Sequence, residues 1–250
     1  MVFNGFNNFK FIFDDPVFFS SIKNTFIIGI LGTVPQIIAA LLIAFALNSA
    51  LLRFRNTFRT LIFLPYITSI VAVAIIFGII FNNQPFGFAN YVLNFFDIGP
   101  IRWNAEYWPV KIAIATMVFW RWVGYNTIIF LAGMQSIPKE LYEAAKMDGA
   151  TVGQQIRLIT LPMLKPITMF VVFTATIGSL QLFTEPLIFL GRGLREEGIT
   201  MVAYLWRDAF VYNSFGTASA AAIVLFFIII SLTAINLLLT NLIGRSKKIK

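Results

Sequence analysis

Two charged residues, Arg121 and Glu185, stand inside long apolar stretches of this sequence, and little else in it is equipped for chemistry. Charge within an apolar span is costly, so such residues are functional candidates by default. Two readings stay open for them: they pair with each other, or they face a water-filled path. The 250 residues contain neither Cys nor His. That removes thiol nucleophiles, disulfides and thiolate metal sites, together with imidazole bases, the HExxH zinc site and the Ser-His dyad. A carboxylate enzyme built on Glu185 and Asp208 survives on paper, but Asp208 belongs in or near a polar loop, away from Glu185.

The elements that must position these residues follow from composition. The chain is 58% hydrophobic and 12% charged, against roughly 25% charged in a soluble domain. Mean hydropathy is +0.82. Such a chain has too little polar surface to stay in solution and reads as an all-α integral membrane protein. No alternating strand pattern suggests a β-barrel. A spanning helix needs about 20 apolar residues to cross a core of roughly 30 Å. Five stretches qualify, at about 25–47, 60–81, 110–134, 167–188 and 217–243, in one transmembrane domain over 1–250. Pro35, Pro65 and Pro186 are expected to kink their helices.

Orientation follows from Lys and Arg. With alternating spans, residues 48–59, 135–165 and the tail after 243 share one side, which holds eleven cations and three acids. The other side holds seven cations and seven acids, and Arg121 and Glu185 cancel within the spans. The whole formal charge of +8 therefore falls on one side, which should be cytoplasmic. The N-terminus is then outside and the C-terminus cytoplasmic, and a nucleic-acid partner is not needed to explain the charge. The first 23 residues hold no apolar core of export-signal length, so a preceding helix is expected upstream. Residues 82–108 carry Trp103, Tyr107 and Trp108, read as an interfacial aromatic belt or a docking surface.

The 135–165 loop reads as two short helices. Ser136 is expected to cap the first, Pro138 and Glu140 suit its first turn, and Gly149 ends it. Leu141, Ala144, Ala145 and Asp148 share one face, with Lys139, Glu143 and Lys146 on the other. A second helix is expected from Thr151 to Thr160, broken before the next span by Pro162 and Pro166.

These residues resemble a known segment. Glu143-Ala144-Ala145, Asp148-Gly149-Ala150, Ile159, Leu161-Pro162 and Pro166 resemble the EAA loop of bacterial ABC importer permeases, with Ile156 where many members carry Phe. Gly133 to Tyr142, Phe58-Arg59-Thr60 with Phe63-Leu64-Pro65, Asn24-Thr25 and Phe215 to Ala220 resemble further parts of the maltose-type carbohydrate-uptake branch. The likeness covers nearly the whole chain. Members usually carry one more helix ahead of the stretch matching Gly5–Phe9, and Gly191-Arg192-Gly193 departs from their usual Gly-Gly-Pro.

The resemblance implies a type I importer permease of the bacterial cytoplasmic membrane. Its partners would be a second permease, two ATPase subunits and an extracytoplasmic solute-binding protein. ATP and Mg would bind the ATPases, since no Walker A pattern occurs here, and this chain would bind no cofactor and catalyse nothing. It implies ATPase coupling through Glu143, Ala144, Ala145, Asp148, Gly149, Ala150, Ile159, Leu161 and Pro162, with alternating access driven by ATPase closure. Arg157 and Lys165 would instead meet lipid headgroups. Carried over by motif, cargo contacts fall at Trp122, Tyr125, Ser179 and Leu182, beside Arg121 and Glu185. Trp120 and Trp122 are equally read as lipid-facing or packing residues. The expected cargo is a neutral sugar, because Arg121 is the one cation in the apolar spans' interior; the alternatives are glycerol phosphate or a polyol, and a secondary transporter acting alone.

Overall fold

A computed structural model describes residues 5–48 and 54–245, with the side chains of Arg192 and 239–245 outside the description. Arg53, Lys247, Lys248 and Lys250, which carry part of the expected charge asymmetry, lie outside the described residues. The described residues form helices and no strand. In chain order these are α1 (Asn7–Asp14), α2 (Pro16–Asn48), α3 (Arg55–Ile67), α4 (Ile70–Ile80), α5 (Phe88–Asn94) and α6 (Tyr107–Gln135). The remainder are α7 (Lys139–Met147), α8 (Val152–Gln155), α9 (Leu161–Met163), α10 (Lys165–Leu180), α11 (Thr184–Leu190), α12 (Met201–Trp206) and α13 (Phe215–Arg245). Among the described residues, Pro16–Asn48, Tyr107–Gln135, Lys165–Leu190 and Phe215–Leu238 are each long and apolar enough to cross a membrane; α3 and α4 qualify only as a broken pair.

Contacts divide the chain into two units. The first comprises residues 1–34, 68–118 and 176–250. Its core gathers Ile12 of α1, Phe18 of α2, Leu180 of α10, Ile199 of the loop before α12, Met201 and Tyr204 of α12, and Ala220 and Ala221 of α13. Helix α2 begins nine residues before the apolar stretch expected from Thr25. Asp15 accepts from Val17 N–H at 2.9 Å and Pro16 takes the first position, where its missing N–H costs nothing. Asn24 and Thr25 are therefore inside the helix. They are polar because they hold a loop: Asn24 Nδ2 donates to the carbonyls of Glu196 (2.7 Å) and Ile199 (3.0 Å), and Thr25 Oγ1 accepts from Met201 N–H at 2.9 Å. From α6, the buried Lys111 donates to the carbonyls of Tyr107 at 3.0 Å and Glu197 at 2.6 Å.

The fourth span is interrupted where the sequence reads straight through. Helix α10 stops at Leu180 and α11 restarts at Thr184. Pro186 has no N–H to offer the Leu182 carbonyl, and that carbonyl accepts Thr200 Oγ1 at 2.6 Å instead. The second expected span is likewise broken, between Ile67 and Ile70, within one turn of Pro65. Pro35 lies inside α2 without ending it.

A buried asparagine organises residues 82–106. Asn90 Nδ2 donates to the carbonyls of Asn82, Gln84 and Ile101, and its Oδ1 accepts from Ile101 N–H and from Trp103 Nε1 at 2.9 Å. Trp103 is thereby buried and does not join an interfacial belt, whereas Tyr107 and Trp108 are exposed. Elsewhere in this unit, Tyr204 O–H donates to Asp15 at 2.8 Å, and Asp208 pairs with Arg207 and accepts from Thr217. Burial pushes the Asp208 carboxyl and the Tyr204 phenol up from their ordinary pKa values.

The second unit comprises residues 35–67 and 119–175. Ala40, Ala44 and Leu47 of α2 pack with Phe130, Leu131 and Met134 of α6, Leu164, and Val171 of α10. Helix α3 approaches α6 at Gly124, where an added Cβ would overlap the Ile62 carbonyl oxygen. At Gly78 of α4, by contrast, an added Cβ would meet nothing within 4 Å. Gly124→Ala is expected to cost about 1–3 kcal/mol through forced helix separation. Gly78→Ala should be neutral or stabilising by up to about 1 kcal/mol. Melting curves of the purified chain in detergent measure the pair; equal behaviour would contradict the close approach.

Candidate functional site: an exposed hairpin and an aromatic cluster

The hairpin of α7 to α9 belongs to the second unit. Ser136 does not cap α7 as expected. Its hydroxyl donates back to the Gly133 carbonyl at 2.8 Å, and Pro138 precedes the first helical residue. Glu140 in the first turn and Lys146 in the last complement the helix ends. The end of α7 fixes the motif's spacing. Gly149 sits at φ +77°, its N–H donates to the Lys146 carbonyl at 3.1 Å, and Ala150 N–H donates to the Ala145 carbonyl at 2.8 Å. These two bonds make a Schellman closure, which needs a left-handed residue at position 149. Thr151 then starts the next helix reciprocally with Gln154: Thr151 N–H donates to Gln154 Oε1 at 2.7 Å, and Gln154 N–H to Thr151 Oγ1 at 3.4 Å.

Beyond α8 the helix runs on through a wide π-turn at Ile156–Thr160 before α9. This corrects the expected break at Pro162. Leu161 N–H reaches the Ile156 carbonyl, so Pro162 enters a fresh turn in which its missing N–H is no loss. Pro166 likewise occupies the first turn of α10.

What the hairpin shows outward is unusual for a folded surface. No residue of α7 is buried. Glu143, Ala144, Asp148 and Gly149 are exposed, while Ala145 and Ala150 are half-buried. Around the tip, Met147 is 85% exposed, Val152 71% and Leu158 70%, and Leu161 and Pro162 are exposed beside them. The inner side is tied down. Tyr142 and Ile159 pack on the Leu164 core, and the Tyr142 hydroxyl lies 2.9 Å from Thr160 Oγ1. Ile159 thus positions the tip from within, whereas Glu143, Ala144, Asp148 and Gly149 form its open surface.

The same unit assembles an aromatic cluster. Tyr66 of α3 stacks on Tyr125 of α6 with ring centroids 4.5 Å apart, and Trp122 stands edge-on to both, at 5.3 Å from Tyr66 and 5.7 Å from Tyr125. The Arg121 guanidinium lies 5.7 Å from the Tyr66 ring and 5.6 Å from Trp122, and its buried Nε has no hydrogen-bond partner. Gln36 Nε2 donates to the Trp122 carbonyl at 3.1 Å. Trp120 is exposed. Tyr66 escapes the sequence reading, although it directly follows Pro65 in the helix-head run. The first unit carries the other expected residues. Ser179 donates to the Thr176 carbonyl at 2.8 Å and packs on Gly29, where an added Cβ would stand 3.2 Å away. Leu182 is buried at the break after α10, and Glu185 is buried in the first turn of α11. Arg121 and Glu185 fall in different units. Among the described residues no cluster of acids could hold a metal ion.

Two exposed glycines of the hairpin isolate the role of backbone conformation. An added Cβ meets nothing within 4 Å at either Gly149 or Gly153, and only Gly149 has positive φ. Gly149→Ala should cost about 1–2 kcal/mol of hairpin stability, while Gly153→Ala should stabilise by about 0.5–1 kcal/mol. Hydrogen exchange over residues 139–163 reads both; faster exchange in the Gly153 variant alone would overturn the assignment.

Residues 36–245 match the family described as binding-protein-dependent transport system inner membrane component. The arabinooligosaccharide transport system permease protein of Halalkalibacterium halodurans is 36% identical over 228 residues, covering 91% of this chain and 72% of that protein. The lactose transport system permease protein of Rhizobium radiobacter is 36% identical over 228 residues, covering 89% and 76%. A bacterial alginate ABC transporter, solved in complex with an alginate pentasaccharide-bound periplasmic protein, matches with a TM-score of 0.81 and 25% identity over 93% of this chain and 81% of that one. A second structure, of a bacterial ABC transporter involved in alginate import, gives a TM-score of 0.86 at 23% identity, over 96% and 84%, and so shares the fold. With several apolar helices of spanning length and a family match over most of its length, this multi-pass membrane chain belongs to the binding-protein-dependent transport system inner membrane components.

Proposed function

We propose that the chain is the membrane-spanning permease subunit of an ATP-driven sugar importer, coupled to separate ATPase subunits through the α7–α9 hairpin. The observation that carries this reading is the hairpin tip. Glu143 and Asp148 flank exposed small residues, Met147 and Val152 stand open to water, and the turn between them is locked by Gly149. An apolar patch on a rigid, tied-down support is a docking surface. In the importer it would sit in a groove of the ATPase, which binds ATP and Mg. Closure of two such ATPases would move this hairpin and that of a second permease, switching the pathway between its two accesses. The hairpin then faces the cytoplasm with the C-terminus, and the N-terminus lies outside in a bacterial cytoplasmic membrane, in keeping with the lysine and arginine asymmetry. An extracytoplasmic binding protein would deliver cargo, as the periplasmic protein accompanies the alginate transporter.

For the cargo, the Tyr66–Trp122–Tyr125 cluster offers the flat aromatic faces on which sugar rings pack. Relatives named for arabinooligosaccharides and lactose support a saccharide. A second reading rests on the unpartnered Arg121 Nε beside these rings: an anionic solute such as glycerol phosphate would supply the missing acceptor. A polyol remains the neutral non-sugar alternative. The family's binding-protein-dependent character argues against a secondary transporter acting alone.

The test is uptake by liposomes holding the chain with its partner permease, ATPases and binding protein. Uptake should require ATP and fall to background in a Glu143→Lys, Gly149→Trp double variant whose assembly in the membrane is intact. Tyr66→Phe should retain transport, and Tyr66→Ala should lower it for a saccharide at least tenfold, as the loss of about 1.4 kcal/mol or more implies. ATP-independent uptake, or full activity in the double variant, would contradict the reading.

A further inference from the structure

In the first unit, α5 presents an apolar stripe that none of the described residues covers. Phe88, Tyr91, Val92 and Phe95 recur at helical spacing, and they are 64%, 55%, 38% and 71% exposed. Phe86 and Phe96 extend the stripe at either end. The opposite face of α5 is fixed by the fully bonded Asn90, so the stripe cannot fold inward without breaking that network. Gly87 holds the approach to the helix, because an added Cβ would lie 2.7 Å from the Asn82 carbonyl oxygen.

From these observations we infer that α5 is an interfacial membrane helix, its Phe88–Phe95 stripe seated in the bilayer at the C-terminal end of α4. Three features select lipid as the occupant. First, the stripe adjoins the apolar surface of α4, where Ile75, Ile76 and Ile79 are exposed. Second, no Asp, Glu, Lys or Arg occurs from residue 60 to residue 96, and the first charge, Asp97, comes directly after the stripe; a charge-free run of this length suits a surface that stays in hydrocarbon, where an ionised side chain is costly. Third, an open cleft of about 320 Å³ between α4 and α5 is lined by Ile79, Ile80, Phe86, Phe88 and Tyr91, with Asn82 and Gly87 at the turn between the helices, a largely apolar lining suited to a length of acyl chain. Aromatic side chains with a polar tip or edge settle at the headgroup boundary. The element would fix the depth of α4 and hence of the break between α3 and α4. This inference rests on α4 crossing the membrane and is independent of the cargo.

Because the chain contains no cysteine, single spin labels can be placed directly. The full importer in phosphatidylcholine–phosphatidylglycerol liposomes would carry Tyr91→Cys, Phe95→Cys or, as a control in the exposed loop beyond the stripe, Arg102→Cys. Collisions with oxygen should exceed those with a nickel chelate severalfold at 91 and 95 and reverse at 102. Where a labelled variant fails to assemble, Phe95→Trp replaces it, with extra quenching by brominated lipid expected over the parent chain. Nickel-favoured collisions at 91 and 95 would overturn the inference. So would exclusion of both reagents, or protection that arises only on adding binding protein, because each would mean water or a protein covers the stripe.

Discussion

In a hydrocarbon solvent every backbone N–H and C=O must find a partner within the protein, and an unmet one costs several kcal/mol. A chain built only of unbroken helices would meet that demand trivially. This one breaks its helices repeatedly, and where it does so particular groups take over the released bonds. The Thr200 hydroxyl donates to the Leu182 carbonyl that Pro186 cannot serve. Asn90 closes five backbone and side-chain contacts in the segment after α4. Asn24, Thr25 and Lys111 hold down the segment between α11 and α12. The polar residues of an apolar sequence thus stand where backbone geometry changes.

The hairpin obeys a different rule, because it leaves the hydrocarbon. Its turn satisfies itself through Lys146, Ala145, Gly149 and Ala150, and its inner side is anchored by Tyr142 and Ile159. Its outer side exposes Met147, Val152 and Leu158 among charged residues such as Glu143 and Asp148. Stability alone would favour polar groups there, and the proposed docking on an ATPase accounts for the exposed Met147, Val152 and Leu158. In the proposed coupling, a hairpin joined to α6 and α10 through shared core residues would transmit displacement, whereas a floppy loop would absorb it.

Much of this was legible in the sequence, for identifiable reasons. Long apolar runs of few or no charges marked the candidate spans because apolar length is a one-dimensional property, and the Glu143 to Pro166 pattern marked the hairpin because its turn chemistry is local. The errors share another cause. Asn24 and Thr25 resembled a helix head, yet their polarity serves residues 196–201, about 175 positions away in sequence. Pro162 resembled a breaker because a π-turn is invisible in residue type. Trp103 resembled a belt residue until Asn90 claimed its indole. Tyr66 was passed over because its stacking partner lies on a helix far along the chain, made reachable only by Gly124.

The account stands or falls on whether the hairpin tip is where force enters the permease. The chain's lack of cysteine makes a direct measurement available: Met147→Cys and Val152→Cys, each paired with cysteines along the groove of the partner ATPase, and cross-linked in the assembled importer with and without ATP. The account predicts rapid cross-links at both positions whose preferred groove partners change with nucleotide, alongside none from a cysteine at Gly78 of α4. Absence of cross-links at the tip in an assembly that still transports would contradict it.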